Sequence, residues 1–113
     1  MSNIYVFDLD HTLCDTKKDD DSGRWLYFES IPYSDRIEKV NELKNEGHTI
    51  IIETARGSDS KINYYEKTYN QLVSWGLKFD VLRTGVKFSA NYYIDDKALN
   101  SEDFFNGKHS IID

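Results

Sequence analysis

The stretch Ile4-Tyr5-Val6-Phe7-Asp8-Leu9-Asp10-His11-Thr12 constrains this chain more than any other. Ile4 to Phe7 is short, apolar and rich in β-formers, so it reads as a buried strand running into Asp8. Asp8 and Asp10 are two residues apart, and at that spacing side chains leave an extended chain on the same side. Two carboxylates at the end of a buried strand repel each other and lose hydration, and only a cation or hydrogen-bond donors compensate. A fold that keeps them must place them on a rim that supplies positive charge.

With 113 residues there is room for one small domain, 1–113, around a single core. Fourteen basic residues against twenty acidic ones leave a formal charge of −6. That balance argues against a nucleic-acid partner, which is bound by surplus Lys and Arg. It leaves a small phosphorylated substrate open, because such a molecule needs only a local positive patch. A lone cysteine, Cys14, excludes an internal disulfide and suits a reducing compartment. Neither a basic leader nor an apolar stretch of membrane-spanning length is visible, so the expectation is a cytoplasmic protein with no membrane partner.

Further along, Asp19-Asp20-Asp21-Ser22-Gly23 signals a turn, and Arg24 to Phe28 reads as one arm of a small hairpin. After Pro32, Ile37, Val40 and Leu43 recur at helical spacing, and Gly47 ends that helix. His48 to Ile52 is a second buried strand, closing on Glu53-Thr54. Ala55-Arg56-Gly57-Ser58 is a loop. Ile62, Tyr65, Tyr69, Leu72 and Val73 share the face of a second helix, which Gly76 closes. Phe79 to Leu82 and Asn91 to Ile94 read as further strands, the latter ending in Asp95-Asp96. Ser101 caps a short helix through Phe105, and Ser110 to Ile112 reads as a last strand.

Strand, helix, strand, helix, strand, strand is the order of an α/β domain with a mainly parallel sheet. Parallel strands finish at one edge, where open α/β sheets bind ligands. Asp8 with Asp10, Thr54, and Asp95 with Asp96 each fall at such a strand end, so three separate segments are expected to bring polar groups to one rim.

Taken together these residues resemble the ordered motifs of the haloacid-dehalogenase-like (HAD) superfamily. Asp8-Leu9-Asp10-His11-Thr12 is similar to its first motif, Asp-x-Asp-x-Thr. Ile50-Ile51-Ile52-Glu53-Thr54 resembles the second, Lys87 the third, and Tyr93-Ile94-Asp95-Asp96 the fourth. Within that superfamily, Thr54-Ala55-Arg56-Gly57, Trp75-Gly76-Leu77-Lys78 and Tyr93 to Ala98 look like small phosphatases of capsular or surface polysaccharide biosynthesis. Two positions depart from that pattern. Gly85-Val86-Lys87-Phe88 replaces the usual Gly-Lys-Pro, and His11 stands where glycine is usual.

The resemblance implies a single three-layer Rossmann-like domain without a cap, because neither inter-motif gap is long enough to hold one. It implies a phosphomonoesterase in which Asp8 attacks phosphorus and Asp10 passes protons to the leaving group and from water. Thr54 and Lys87 bind the phosphate. Mg²⁺ is held by Asp8, the main-chain carbonyl of Asp10, and Asp96, with Asp95 direct or one layer out. Four carboxylates and a dianionic phosphate cannot share a rim with one Lys, so the charge count also asks for a divalent cation. Read from their positions, Arg56 is placed either to touch the substrate's anionic group or to be solvated or cap a helix end, and His11 either to orient substrate or to serve the fold. Trp25 and Tyr27 are placed either to stack on a sugar or to pack the core. The competing readings are a polynucleotide end-phosphatase and a non-catalytic interaction module. A capless site is open, unless a second copy of the chain roofs it.

Overall fold

The structure is a computed structural model that describes residues 2–107. The elements in chain order are β1 (Ile4–Phe7), β2 (Cys14–Asp15), a 3₁₀ turn (Tyr27–Glu29), β3 (Ile31–Pro32), α1 (Ser34–Asn45), β4 (Thr49–Thr54), α2 (Tyr65–Ser74), β5 (Val81–Thr84) and α3 (Ser101–Phe105). A three-stranded sheet in the order β1-β4-β5 is parallel throughout, with Phe7 opposite Ile52, Ile52 opposite Leu82, and Thr54 opposite Thr84. β2 and β3 form a small antiparallel pair.

Alternation along the strands decides which face of the sheet is covered. Phe7, Ile50, Ile52 and Leu82 share one face and are buried. They meet Ile37, Val40 and Leu43 of α1, Leu72 of α2 and Phe104 of α3 in one core. Each fully buried Leu or Ile contributes about 1.5–3 kcal/mol relative to an exposed one. Ile4, Val6 and Val81 occupy the opposite face and stand well exposed. Among the described residues the domain is therefore two layers, a parallel α/β sheet with helices on one side, and not the three expected.

α1 buries the triad expected of it. α2 buries Thr68 and Leu72, while Ile62 and Val73 point to solvent and Tyr69 packs edge-on against Phe79. The predicted face of α2 was too wide, because the helix begins only at Tyr65 and turns its narrow side inward. α3 is capped by Asn100 and not Ser101; the Asn100 Oδ1 accepts from the backbone N–H groups of Glu102 and Asp103. The third strand lies two residues later than its apolar run suggested. Asn91 to Ile94 is not a strand: among the described residues no strand pairs with it, and Ile94 is 98% exposed. The strand expected over Ser110 to Ile112 lies outside the described residues. No helix among the described residues is long and apolar enough to cross a membrane.

Candidate active site

The C-terminal ends of β1, β4 and β5 open onto one cleft of about 260 Å³. β1 delivers Asp8, Asp10 and His11 to it, β4 delivers Thr54, Ala55 and Arg56, and the loop after β5 delivers Lys87, Phe88 and Tyr93. Trp25 and Tyr27 close it from the segment between β2 and β3. Of the residues expected to converge from strand ends, Asp8, Asp10 and Thr54 line the cleft and Asp95 and Asp96 do not; Lys87 joins the first three from the loop after β5.

Local folding explains how the two aspartates part company. Leu9 between them is fully buried in the core, which fixes the backbone on either side. The chain then turns sharply: Thr12 and Leu13 N–H groups both donate to the Leu9 carbonyl, and His11 N–H donates to Cys14 O. His11 carries a φ of 66°, in the left-handed region. A side chain there is strained where glycine would not be, which accounts for glycine being usual at this position in the family the motif resembles. The His11 ring gains a partner in compensation, an edge contact with Trp25 at 5.3 Å between centroids.

Asp8 faces the cleft with its side chain 40% exposed, and one of its oxygens lies 3.3 Å from Lys87 Nζ. Asp10 is held differently. Its Oδ2 accepts from Arg56 Nε at 3.0 Å, and its Oδ1 accepts from Arg56 Nη2 at 2.8 Å, a bidentate pair. Thr16 Oγ1 donates to the same Oδ1 at 2.6 Å. Cys14 Sγ is 3.7 Å away, and burial pushes its thiol above the ordinary range, with the Asp10 charge adding to the effect. Burial likewise raises the Tyr27 phenol, again with Asp10 contributing.

Thr54 is buried at the cleft floor. Its hydroxyl oxygen accepts from the Arg56 N–H at 3.2 Å and keeps its own proton for an incoming acceptor. The next turn requires Gly57: its φ is 87°, and a Cβ there would collide with the Ile62 carbonyl. Arg56 spends every N–H on protein acceptors. Beyond Asp10 these are Gln71 Oε1 at 2.7 Å, Thr68 Oγ1 at 3.4 Å and the Tyr27 carbonyl at 3.4 Å.

Asp95 and Asp96, the acids expected to complete a metal site, do not line the cleft. Both are exposed, and Asp95 Oδ1 accepts from the Lys97 N–H at 2.7 Å. No group of three or more His, Cys, Asp or Glu among the described residues could hold a metal ion. Mg²⁺ asks for hard oxygen donors and is often bound by one or two carboxylates plus substrate phosphates. Asp8 is the cleft carboxylate with an oxygen to offer here, since both Asp10 carboxylate oxygens are engaged by Arg56 and Thr16; the Asp10 main-chain carbonyl, the ligand that the resemblance implies, is separate from them.

Thr16, Ser30, Thr68 and Gln71 were not anticipated as parts of the site. Thr16 was within reach of sequence reasoning, since it lies two residues from Cys14 on the same side of an extended chain. Gln71 and Thr68 sit on α2, and only the path of that helix past Arg56 brings them in.

No protein-family model matches the chain, and no curated protein matches it. Two solved structures are similar. One is a crystal structure of a structural-genomics target from Vibrio cholerae, 24% identical, with a TM-score of 0.74 over 93% of this chain and 88% of that one. The other is the structure of a Pnkp1/Rnl/Hen1 complex, 22% identical, with a TM-score of 0.53 over 91% of this chain and 33% of that one. At those identities the likeness is one of architecture, and it places this chain among small α/β folds with a mostly parallel sheet.

Proposed function

We propose that this chain is a HAD-type phosphomonoester hydrolase acting on a sugar phosphate or a similar small metabolite, such as one used in making surface polysaccharide. The observation that carries the reading is the juxtaposition at the cleft floor. An accessible carboxylate, Asp8, stands beside a cation, Lys87, and shares its cleft with a hydroxyl, Thr54, and a second, firmly oriented carboxylate, Asp10. Phosphoryl transfer asks a protein mainly for alignment and charge stabilisation.

In this reading an Asp8 oxygen attacks phosphorus, the bond from phosphorus to the ester oxygen breaks, and Asp10, having first taken up a proton from solvent in place of one of its hydrogen-bond donors, gives that proton to the leaving oxygen. Asp10 then takes a proton from water as the water attacks the aspartyl-phosphate, freeing inorganic phosphate and restoring Asp8. Lys87 and the Thr54 hydroxyl bind the phosphoryl oxygens. Asp8, together with those oxygens, would hold a Mg²⁺ ion, whose charge offsets that of the phosphoryl group.

Purified protein should release phosphate from p-nitrophenyl phosphate, EDTA should stop the reaction, and added Mg²⁺ should restore it. Asp8→Asn should lower the rate by about 10³-fold or more, the scale of losing a covalent nucleophile. Full activity in that variant would sink the assignment. A second reading, a polynucleotide end-phosphatase, is favoured by the aromatic lip of the cleft, where Trp25, Phe88 and Tyr93 are all partly exposed and could stack bases. It calls for binding to 3′-phosphorylated single-stranded DNA that weakens steeply with salt.

A further inference from the structure

Arg56 is the largest fully buried side chain among the described residues. A guanidinium out of water is costly unless each of its five N–H donors is met. All five are met here, and their partners trace a pattern. Two donors fix Asp10, and two reach Gln71 and Thr68 on α2. The fifth goes to the Tyr27 carbonyl, in the segment between β2 and β3. The same guanidinium lies over the Tyr27 ring at 4.8 Å and the Phe28 ring at 5.6 Å.

The Tyr27 carbonyl is a junction in its own right. Gln71 Nε2 donates to it at 2.8 Å, and Ser30 Oγ lies 2.6 Å from it. Ser30 Oγ is 2.6 Å from Thr16 Oγ1, and Thr16 Oγ1 is 2.6 Å from Asp10 Oδ1. The polar contacts close on themselves, running from Asp10 through Arg56, Tyr27, Ser30 and Thr16 back to Asp10. One carboxylate of the site and the segment that carries Trp25 and Tyr27 to the cleft are thus tied to the same group.

We infer that Arg56 is a positioning residue that fixes the Asp10 carboxylate and, through the Tyr27 carbonyl, seats the 17–30 segment over the cleft. It touches no substrate. The catalytic half of this role rests on the phosphatase reading; the seating half does not. A lysine keeps the charge and most of the length but cannot make the two-pronged pair or saturate the same acceptors. Arg56→Lys therefore leaves Asp10 free to swing and the Tyr27 junction short of a donor. A misplacement of that kind costs about 10²-fold in rate.

The test uses two readouts. The chain has two tryptophans, so a Trp75→Phe background leaves Trp25 as the sole tryptophan, which is excited selectively at the red edge, beyond tyrosine absorption. In that background Arg56→Lys should lower kcat for p-nitrophenyl phosphate about 10²-fold with KM moved less than about fivefold. Acrylamide quenching of Trp25 should rise at least about twofold as the segment lifts. Gln71→Met removes one donor to the Tyr27 carbonyl and one acceptor of Arg56, so it should give the same pair of changes at about a tenth of the size in kcat. It carries the test if Arg56→Lys does not fold. A rise in KM with kcat intact would overturn the inference in favour of direct substrate contact. Unchanged kcat and unchanged quenching would overturn it outright. A wild type that releases no phosphate would end the phosphatase reading, and the quenching comparison would still decide whether Arg56 seats the segment.

Discussion

The two walls of the cleft are built on different terms. The wall made from the ends of β1 and β4 is packed and saturated. Thr54 and Arg56 are each 1% exposed, and both Asp10 oxygens have partners. The wall made from the chain after β5 stands in solvent, with Phe88 82% exposed and Tyr92 85% exposed. It meets the first wall through Lys87 beside Asp8 and through Ser58, whose hydroxyl donates to the Lys87 carbonyl. The contrast separates two tasks of a reactive site. The packed wall holds groups that must not move, and its cost in buried polarity is offset by complete hydrogen bonding. The open wall brings a positive charge to Asp8 with little packing behind it, which puts it at the low-stability end of the molecule.

Among the described residues Lys87 is the cation that joins the walls at Asp8, so its removal is the largest blow to the comparison. Lys87→Met should cut phosphate release by about 10²–10³-fold, the scale of losing one charge-stabilising donor. The thermal midpoint should barely move, because little of the fold is anchored there. Lys87 also lies over the Tyr93 ring at 4.7 Å, so Tyr93→Ala should shift KM more than kcat. A Lys87→Met enzyme within threefold of wild type would show that the open wall plays no part in the chemistry.

The same contrast explains how much of the molecule was legible beforehand. Ile4 to Phe7 and Thr49 to Thr54 announce themselves as strands because each carries its own apolar and β-branched pattern. Asp8, Asp10 and Thr54 then follow from where parallel strands must end. Arg56 was noticed as a candidate substrate contact, but its burial and its protein acceptors were not foreseen. A lone Arg in a loop gives no hint of burial, and its acceptors on α2 and in the Tyr27 segment are set by tertiary packing. The Asn91 to Ile94 stretch has strand composition, yet composition says nothing about whether a neighbouring strand is there to pair with it. Among the described residues none is, and Asp95 and Asp96 lie outside the cleft lining. The covered and bare faces of the sheet were equally unreadable, since Ile4, Val6 and Val81 are as apolar as their buried neighbours.

The frame that holds the packed wall can be probed through pH. Asp80 accepts from the Ile50 N–H at 2.8 Å and pairs with Lys44 of α1 at 2.8 Å, tying helix to sheet. The hydrogen bond from Lys44, helped by the one from Ile50, holds its carboxyl below the ordinary value of 3.8. A carboxyl lowered in the folded state stabilises above its unfolded pKa and stops doing so as pH falls through the folded one. Asp80→Asn keeps an acceptor for Ile50 and removes the charge. It should melt lower than wild type at pH 7, with the gap closing as pH drops below 3.8. A gap that does not narrow at all as pH falls below 3.8 would assign the effect to shape and not to charge.

The smallest expected change sharpens the contrast most. Asp96 is exposed and belongs to neither the core nor the cleft lining. Substitutions at such positions move stability by no more than about 0.5 kcal/mol, so Asp96→Asn should leave the thermal midpoint within about 1 °C of wild type. With stability held constant, the activity of the same variant reads out position alone. Phosphate release within about threefold of wild type would keep Asp96 outside the working site and leave Asp8 as the carboxylate that meets a Mg²⁺ ion. A loss above about tenfold at an unchanged midpoint would mean that the open wall folds inward during turnover and brings Asp96 to the ion, as the HAD resemblance implies. In that case the exposure of Tyr92 and Ile94 takes on a physical sense. Apolar side chains left in water are a standing free-energy cost, and a wall that can bury them on closing has that much driving force already stored in its open form.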